Sequence, residues 1–187
     1  MATYTDQAGH IIQQAGGVKR IISLAPSITE LLFDMGMDEQ ILAVTNQCFY
    51  PVVRVQKKPK IGEFIHPNLE QIRSYNPQII FVNQFLINKE VIQQLREEFT
   101  VWEVGVSSLE GALEQIRKIG EFVQKEPIAN WIAEKITTRF NQLQEDKVAV
   151  SKAKRVLFAT GNPDWKFAGQ ETLPHHLLER IGFSYQP

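Results

Sequence analysis

Small polar residues and rings follow three apolar runs of the chain, and their types are those of a ligand-binding surface. Pro26 and Ser27 follow the first run, residues 46–50 follow the second and residues 83–85 follow the third. In a parallel α/β sheet, ligands bind beyond the carboxyl ends of the strands, where such segments emerge side by side. The pattern therefore indicates a non-covalent binding site for a small molecule.

Three aromatic residues fall in or next to these segments. Tyr50, Phe64 and Phe85 would add flat apolar surface to the site, as the walls of small-molecule pockets require. The same rings could instead cover a small core formed by the long loop itself. The residues alone leave both interpretations open.

Other chemistry has weaker support in the sequence. Glu171, His175 and Glu179 have helical spacing and could share one face as metal ligands, although a polar helix surface explains them equally well. Cys48 could be a nucleophile, but no histidine is near it in sequence. The turn after the first strand lacks the glycines of a dinucleotide site, and no P-loop, H-E-x-x-H or G-x-S-x-G motif occurs.

Composition excludes several classes of protein. The chain has 187 residues, of which 43% are hydrophobic and 22% are charged, and its formal net charge of −1 gives no basic surface for nucleic acid. The single cysteine excludes an internal disulfide. We expect no membrane span and no bound cofactor, and the first 17 residues have no signal-peptide pattern, so a cytoplasmic location stays open.

The apolar runs predict an α/β fold in which alternating strands and helices build a parallel sheet. We expect a weakly structured segment at 1–17, an α/β lobe at 18–123, a long helix at 124–152 and the start of a second lobe at 153–187. One strand and one helix cannot enclose a core, so we expect the second lobe to be truncated. The long helix should bury one stripe of apolar residues, namely Ile128, Trp131, Ile132, Ile136, Phe140 and Leu143.

Four stretches of the sequence carry a resemblance to a known family. They are RIISLAPSITELLFDMG from Arg20, VTNQCFYP from Val44, IGEFIHPNLEQI from Ile61 and NPQIIFVN from Asn76. They resemble the vitamin B12-binding proteins of ABC importers, within the wider group of siderophore, haem and cobalamin receptors. The resemblance implies two α/β lobes joined by one long helix, no enzymatic activity, and an extracytoplasmic protein that delivers a metal chelate to a permease.

The resemblance also implies roles for particular residues. It places Glu70 where the first lobe would dock on the permease, and it implies a ligand-contacting set of Pro26, Ser27, Tyr50, Phe64, Asn83 and Trp165. The ligand could be cobalamin, another corrinoid, haem or a ferric siderophore, because Phe49 and Phe64 depart from residues common in cobalamin binders. A Rossmann-like enzyme and a single-lobe interaction module remain the alternatives.

Overall fold

The computed structural model describes residues 1–145, 155–160 and 166–185, and the chain divides into two compact units. Unit 1 consists of Met1–Gly105 and Lys118–Glu126, and unit 2 consists of Val106–Arg117 and Pro127–Pro187. In the part of the chain described, no helix is long and apolar enough to span a membrane.

Unit 1 contains eight strands, four helices and the end of a fifth helix within the described residues. In chain order they are β1 (Ala2–Thr5), β2 (Ile11–Gln14), β3 (Ile21–Ser23), α1 (Pro26–Asp34), β4 (Ile41–Val44), α2 (Val52–Val55), β5 (Gly62–Glu63), β6 (His66–Pro67), α3 (Leu69–Tyr75), β7 (Ile79–Asn83), α4 (Lys89–Glu98), β8 (Val101–Val104) and the last turns of α5 (Leu109–Phe122).

A parallel sheet of four strands in the order β4-β3-β7-β8 forms the centre of unit 1. Successive residues of a strand point to opposite faces, so Ile80 and Val82 join one core while Phe81 joins the other. On the second face Trp102 lies 4.8 Å from the Phe122 ring, centroid to centroid. Burial on both faces explains why the strands are apolar except at Ser23, Asn83 and Glu103, and the parallel sheet confirms the predicted α/β class.

The first 14 residues differ from the prediction, because β1 and β2 pair as an antiparallel hairpin instead of lying unstructured. The turn of this hairpin lies against β8, the edge strand of the sheet. Asp6 Oδ2 accepts from the Glu103 backbone N–H at 3.0 Å, and Gln7 Oε1 accepts from that of Gly105 at 2.6 Å. The hairpin turn therefore satisfies backbone donors that an open sheet edge would leave exposed.

A buried ion cluster fixes this turn. The Asp6 carboxylate is buried and accepts from Arg96 Nη2 at 3.1 Å and from the His10 backbone N–H at 2.8 Å. The Arg96 Nε donates to Glu103 Oε1 at 2.8 Å. The carboxylate is thus bonded by a guanidinium and two backbone donors, which offsets the cost of its burial.

Unit 2 contains the start of α5, the long helix α6 (Glu126–Glu145), and a small α/β segment. That segment consists of β9 (Arg155–Val156), β10 (Ala159–Thr160), β11 (Lys166–Phe167), α7 (Leu173–Arg180) and β12 (Ser184–Tyr185). β9 pairs with β12 in parallel, and β10 pairs with β11 antiparallel. Residues 146–152 of the predicted long helix lie outside the described residues.

The buried face of α6 agrees with the predicted stripe only in part, because Ile132, Ile136, Phe140 and Leu143 are half-buried but the first two residues of the stripe are not. Ala129 and Ala133 are fully buried, whereas Ile128 is exposed and Trp131 is 55% exposed. Ala133 packs with Leu109 and Leu113 of α5. Small alanines allow the two helices to approach closely, and the predicted residues Ile136 and Phe140 pack against the same cluster.

The domain boundaries differ from the prediction because α5 is divided between the two units. The first turns of α5 pack on α6 and belong to unit 2, whereas Phe122 at its end packs on the sheet and belongs to unit 1. A boundary placed after residue 123 therefore falls too late for most of α5.

We expect Asp6→Ala to lower the free energy of unfolding by about 3 kcal/mol, because it leaves a buried N–H and part of a buried guanidinium without an acceptor. Guanidinium unfolding of the 187-residue chain measures this difference. Glu90→Ala, which removes an exposed carboxylate from α4, is the control and should change stability by less than about 0.5 kcal/mol. Equal effects of the two substitutions would contradict the role assigned to the cluster.

Candidate functional site

The carboxyl ends of β4, β3 and β7 are neighbours in the sheet, so the segments that follow them emerge at one edge. Neighbouring strands lie about 4.8 Å apart, and these three ends therefore fall within roughly 10 Å of one another. The predicted juxtaposition of residues 26–27, 46–50 and 83–85 follows from this topology.

The predicted contact residues take different positions along this edge. Pro26 is half-buried as the first residue of α1, and Ser27 is exposed beside it. Tyr50 is 61% exposed. The Asn83 side chain accepts from the Phe85 backbone N–H at 2.9 Å, so it shapes the turn after β7.

Phe64 differs from the exposed wall residue that the sequence suggested. It is half-buried and packs against the core cluster that contains Ile61 and Ile72. Its backbone N–H donates to Gln47 Oε1 at 3.3 Å, which joins the turn between β5 and β6 to the loop after β4. Of the two interpretations that the sequence left open, a ring that covers a core therefore fits Phe64, whereas it does not fit the exposed Tyr50.

Two further predicted residues are Glu70, which lies on α3, and Trp165, which is not among the described residues. Glu70 is exposed in the first turn of α3, where an acidic residue also suits the helix dipole. Nearby Arg73 donates to both oxygens of Glu98, each at 2.6 Å.

Two exposed rings lie outside the ligand-contacting set that the resemblance implies, although Phe85 was already expected to add apolar surface to the site. Phe49 is 66% exposed and Phe85 is 64% exposed, and with Tyr50 they form what we call the aromatic rim. Phe85 could be found from its place after a strand, whereas Phe49 gave no sequence signal that distinguished it from a core residue.

A buried polar cluster lies beneath the rim and explains Cys48. The thiol is 1% exposed and lies 3.1 Å from Thr29 Oγ1 and 3.3 Å from Thr45 Oγ1. The Thr29 hydroxyl donates to Ser23 Oγ at 2.8 Å. The cluster ties the start of α1 to the loop after β4, and it is the environment of a structural thiol rather than of a reactive one.

The helical metal face suggested by the sequence is not assembled. His175 is buried, and its Nε2 lies 3.2 Å from Glu179 Oε2, whereas Glu171 is exposed. Among the residues that the structure describes, no group of three His, Cys, Asp or Glu could hold a metal ion.

Two cations that follow β4, Arg54 and Lys58, are engaged with backbone carbonyls and with Asp38. Arg54 donates to the carbonyl of Phe33 at 2.6 Å and pairs with both oxygens of Asp38. The Lys58 Nζ donates to the Asp38 carbonyl at 2.6 Å. The hydrogen bond from Arg54 holds the pKa of Asp38 below its ordinary value, and the same contact raises the pKa of Arg54.

A cavity of about 450 Å³ lies beside Phe85 in unit 1. Its lining includes Ile92, Lys89, Arg96 and His10. Charged groups are therefore present next to one end of the aromatic rim.

Comparison with known proteins gives one family match and extended similarity to individual relatives. A family model described as "Periplasmic binding protein" matches residues 21–185. An uncharacterized ABC transporter substrate-binding lipoprotein of Bacillus subtilis, YvrC, is 26% identical over 170 residues, which are 87% of this chain and 54% of that relative. The chain thus spans about half the length of that relative.

Solved structures share the fold. The periplasmic vitamin B12-binding protein BtuF of Vibrio cholerae has a TM-score of 0.79 at 19% identity, with 90% of this chain and 66% of that chain covered. The periplasmic heme-binding protein RhuT of Roseiflexus sp. RS-1 has a TM-score of 0.77 at 23% identity, with 89% and 65% covered. Proteins named for two different ligands match about equally well, so the fold alone leaves the ligand open.

We expect the stability of the chain to fall as the pH drops below about 5 toward about 2, and Asp38→Asn to reduce this dependence. A carboxyl whose pKa is lowered on folding contributes stability above its unfolded-state pKa and loses it as the pH falls through the folded-state value. Urea unfolding at several pH values measures the slope. Glu39→Gln, at an exposed neighbouring position, should leave it nearly unchanged, and a parallel shift by both variants would argue against the Asp38–Arg54 pair as the source.

Proposed function

The chain belongs to the periplasmic binding protein family, and from this premise we propose that it is the substrate-binding component of an ABC importer for a metal chelate. The observation that carries the proposal is the aromatic rim at the carboxyl edge of the sheet. Three exposed rings lie on segments that leave one edge of the sheet, and a flat macrocycle provides a matching apolar face for such rings.

We further propose that the ligand is cobalamin or another corrinoid. Arg54 and Lys58, which follow the rim residues in sequence, bond to backbone carbonyls and to Asp38. Asn83 and Ser27 contribute neutral polar groups at the same edge. The Phe49–Tyr50 end of the rim, where Arg54 and Lys58 are engaged with protein groups, suits the amide side chains of a corrinoid better than the carboxylates of haem or the anionic groups of a ferric siderophore.

Haem is the second candidate, and Lys89 is the observation in its favour. This residue lines the cavity beside Phe85, where its ammonium could pair with a propionate. The proposal in either form is a binding protein without catalytic activity, located outside the cytoplasm, that passes its ligand to a membrane permease.

Equilibrium titration separates the candidates. The 187-residue chain is titrated into cyanocobalamin, haemin and a ferric siderophore, and difference absorption spectra report binding. We expect cyanocobalamin to bind most tightly. Preferential binding of haemin, abolished by Lys89→Met, would select the second candidate, and no spectral change with any of the three would contradict the metal-chelate proposal.

We expect Tyr50→Ala to weaken cyanocobalamin binding roughly 30-fold while changing the free energy of unfolding by less than about 0.5 kcal/mol, because the ring is exposed and an anchoring aromatic contributes about 2 kcal/mol. Phe64→Ala should instead cost about 2 kcal/mol of stability, since its ring packs against the core. Titration and guanidinium unfolding measure the two quantities. Trp131→Ala, which removes another exposed ring on α6, is the control; a loss of affinity as large as that of Tyr50→Ala would refute a specific role for the rim.

We expect Glu70→Ala to leave unfolding and ligand affinity nearly unchanged but to reduce ligand delivery. Exposed charges contribute about 0–1 kcal/mol to stability, whereas charges at an interface steer association through complementary potentials. Ligand uptake by proteoliposomes containing the cognate importer measures delivery, and Glu97→Ala on α4 is the control for an exposed glutamate. Reduced stability with normal uptake would make Glu70 a structural residue instead.

A further inference from the structure

Lys60 makes an unusual pair of contacts at the base of the loop that carries Phe49 and Tyr50. Its Nζ donates to the carbonyl of Cys48 at 2.7 Å and to that of Thr45 at 3.2 Å. These acceptors lie 12 and 15 residues earlier in the chain. The side chain therefore closes the loop across its base.

The backbone around Lys60 is itself fixed to the sheet. The Val44 N–H donates to the carbonyl of Pro59 at 3.0 Å, and the Ile61 N–H donates to that of Val44 at 3.1 Å. This pairing continues the sheet beyond β4 as an isolated parallel bridge between Val44 and Lys60. The ammonium thus extends from a rigid base, and its two acceptors are held relative to the sheet.

The residue that precedes Phe49 is held on two sides. Lys60 binds the carbonyl of Cys48, and the hydroxyls of Thr29 and Thr45 contact its buried thiol. The Cys48 N–H also donates to the Thr45 carbonyl at 3.1 Å. With both the backbone and the side chain of Cys48 fixed, the direction in which the chain leaves toward Phe49 is fixed as well.

The other end of the exposed segment has a separate anchor. The carbonyl of Pro51 accepts from the Arg54 N–H at 3.1 Å and from the Val55 N–H at 2.9 Å, which begins α2. The Arg54 side chain then binds Asp38 and the Phe33 carbonyl. Phe49 and Tyr50 therefore lie on a short span between two anchors.

We infer that Lys60 is a positioning residue for the aromatic rim: by holding the Thr45 and Cys48 carbonyls, it fixes Phe49 and Tyr50 in their exposed arrangement before a ligand arrives. The effect on ligand binding rests on the proposed function, whereas the effect on the loop does not. A surface ordered during folding loses less conformational freedom on binding, so the lysine contributes to affinity without contacting the ligand.

The buried thiol of Cys48 provides a test that needs no ligand. A thiol reagent such as 5,5′-dithiobis(2-nitrobenzoate) can react only after the loop opens, because the thiol is buried in the closed loop. We expect Lys60→Met to raise the labelling rate about tenfold, which corresponds to about 1.4 kcal/mol. Lys60→Arg, which keeps a cation with several donors, should restore a rate near that of the parent chain.

The control is Lys57→Met, which removes an exposed lysine from the same loop. It should leave the labelling rate unchanged. Local opening is distinguished from global unfolding by its weak dependence on guanidinium concentration, because little surface is exposed when only the loop opens. If Lys60→Met does not fold, Lys60→Gln serves for the same comparison.

A second measurement tests the consequence for binding. In chains that bind cyanocobalamin, Lys60→Met should weaken the affinity roughly three- to tenfold and Lys57→Met should not. If the parent chain binds none of the chromophores, the proposed function fails and the labelling rates alone decide the role of Lys60. Equal labelling of the parent, Lys60→Met and Lys57→Met chains would overturn the inference, as would faster labelling with unchanged affinity for a chromophore that the parent binds.

Discussion

The central constraint on unit 1 is that its four parallel strands are buried on both faces, which leaves only the strand ends and the two edges open to polar groups. At the carboxyl edge, every chain segment that leaves the sheet must satisfy its own backbone donors and acceptors or expose them to water. The loop after β4 does so with side chains: Gln47 bonds the backbone of Phe64, and Lys60 bonds the carbonyls of Thr45 and Cys48. The loop after β4 thus carries polar side chains that bond its own backbone and aromatic rings that are exposed.

The two lateral edges of the sheet are covered by different means. On the β4 side, residues 59–61 extend the pairing by backbone hydrogen bonds. On the β8 side, the Asp6 carboxylate and the Gln7 amide replace the missing strand. Asp6 is effective in this place because Arg96 and the His10 N–H bond it as well, so that one buried charge fastens the hairpin, α4 and β8.

The sequence was a good guide to elements whose apolar residues are large and periodic. The apolar runs that precede Pro26, residues 46–50 and residues 83–85 form β3, β4 and β7, and α6 lies within the predicted long helix. It was a poor guide where small or polar residues decide the packing. The buried face of α6 is set by Ala129 and Ala133, and the N-terminal hairpin is set by Asp6, whose partners Arg96 and Glu103 are about 90 residues away in the chain. The sheet topology places residues 26–27, 46–50 and 83–85 at one edge, as predicted. Phe64 is instead half-buried, because its ring packs against the core cluster that contains Ile61 and Ile72.

The distribution of charge around the rim bears on how such a site can bind and still release its ligand. Cations that bond to carbonyls stiffen the loop, and the donors used in this way are engaged before a ligand arrives. Rings contribute affinity through buried area, which is non-directional and is lost when the opposing surface withdraws. A binding surface of this kind can be ordered and still have only moderate affinity for its ligand. Under the proposed function, in which the ligand passes to a partner, Lys60 and Arg54 order the loop and leave Phe49 and Tyr50 for contact with the ligand. The loop then loses its conformational freedom during folding rather than on binding, and the ligand stays exchangeable.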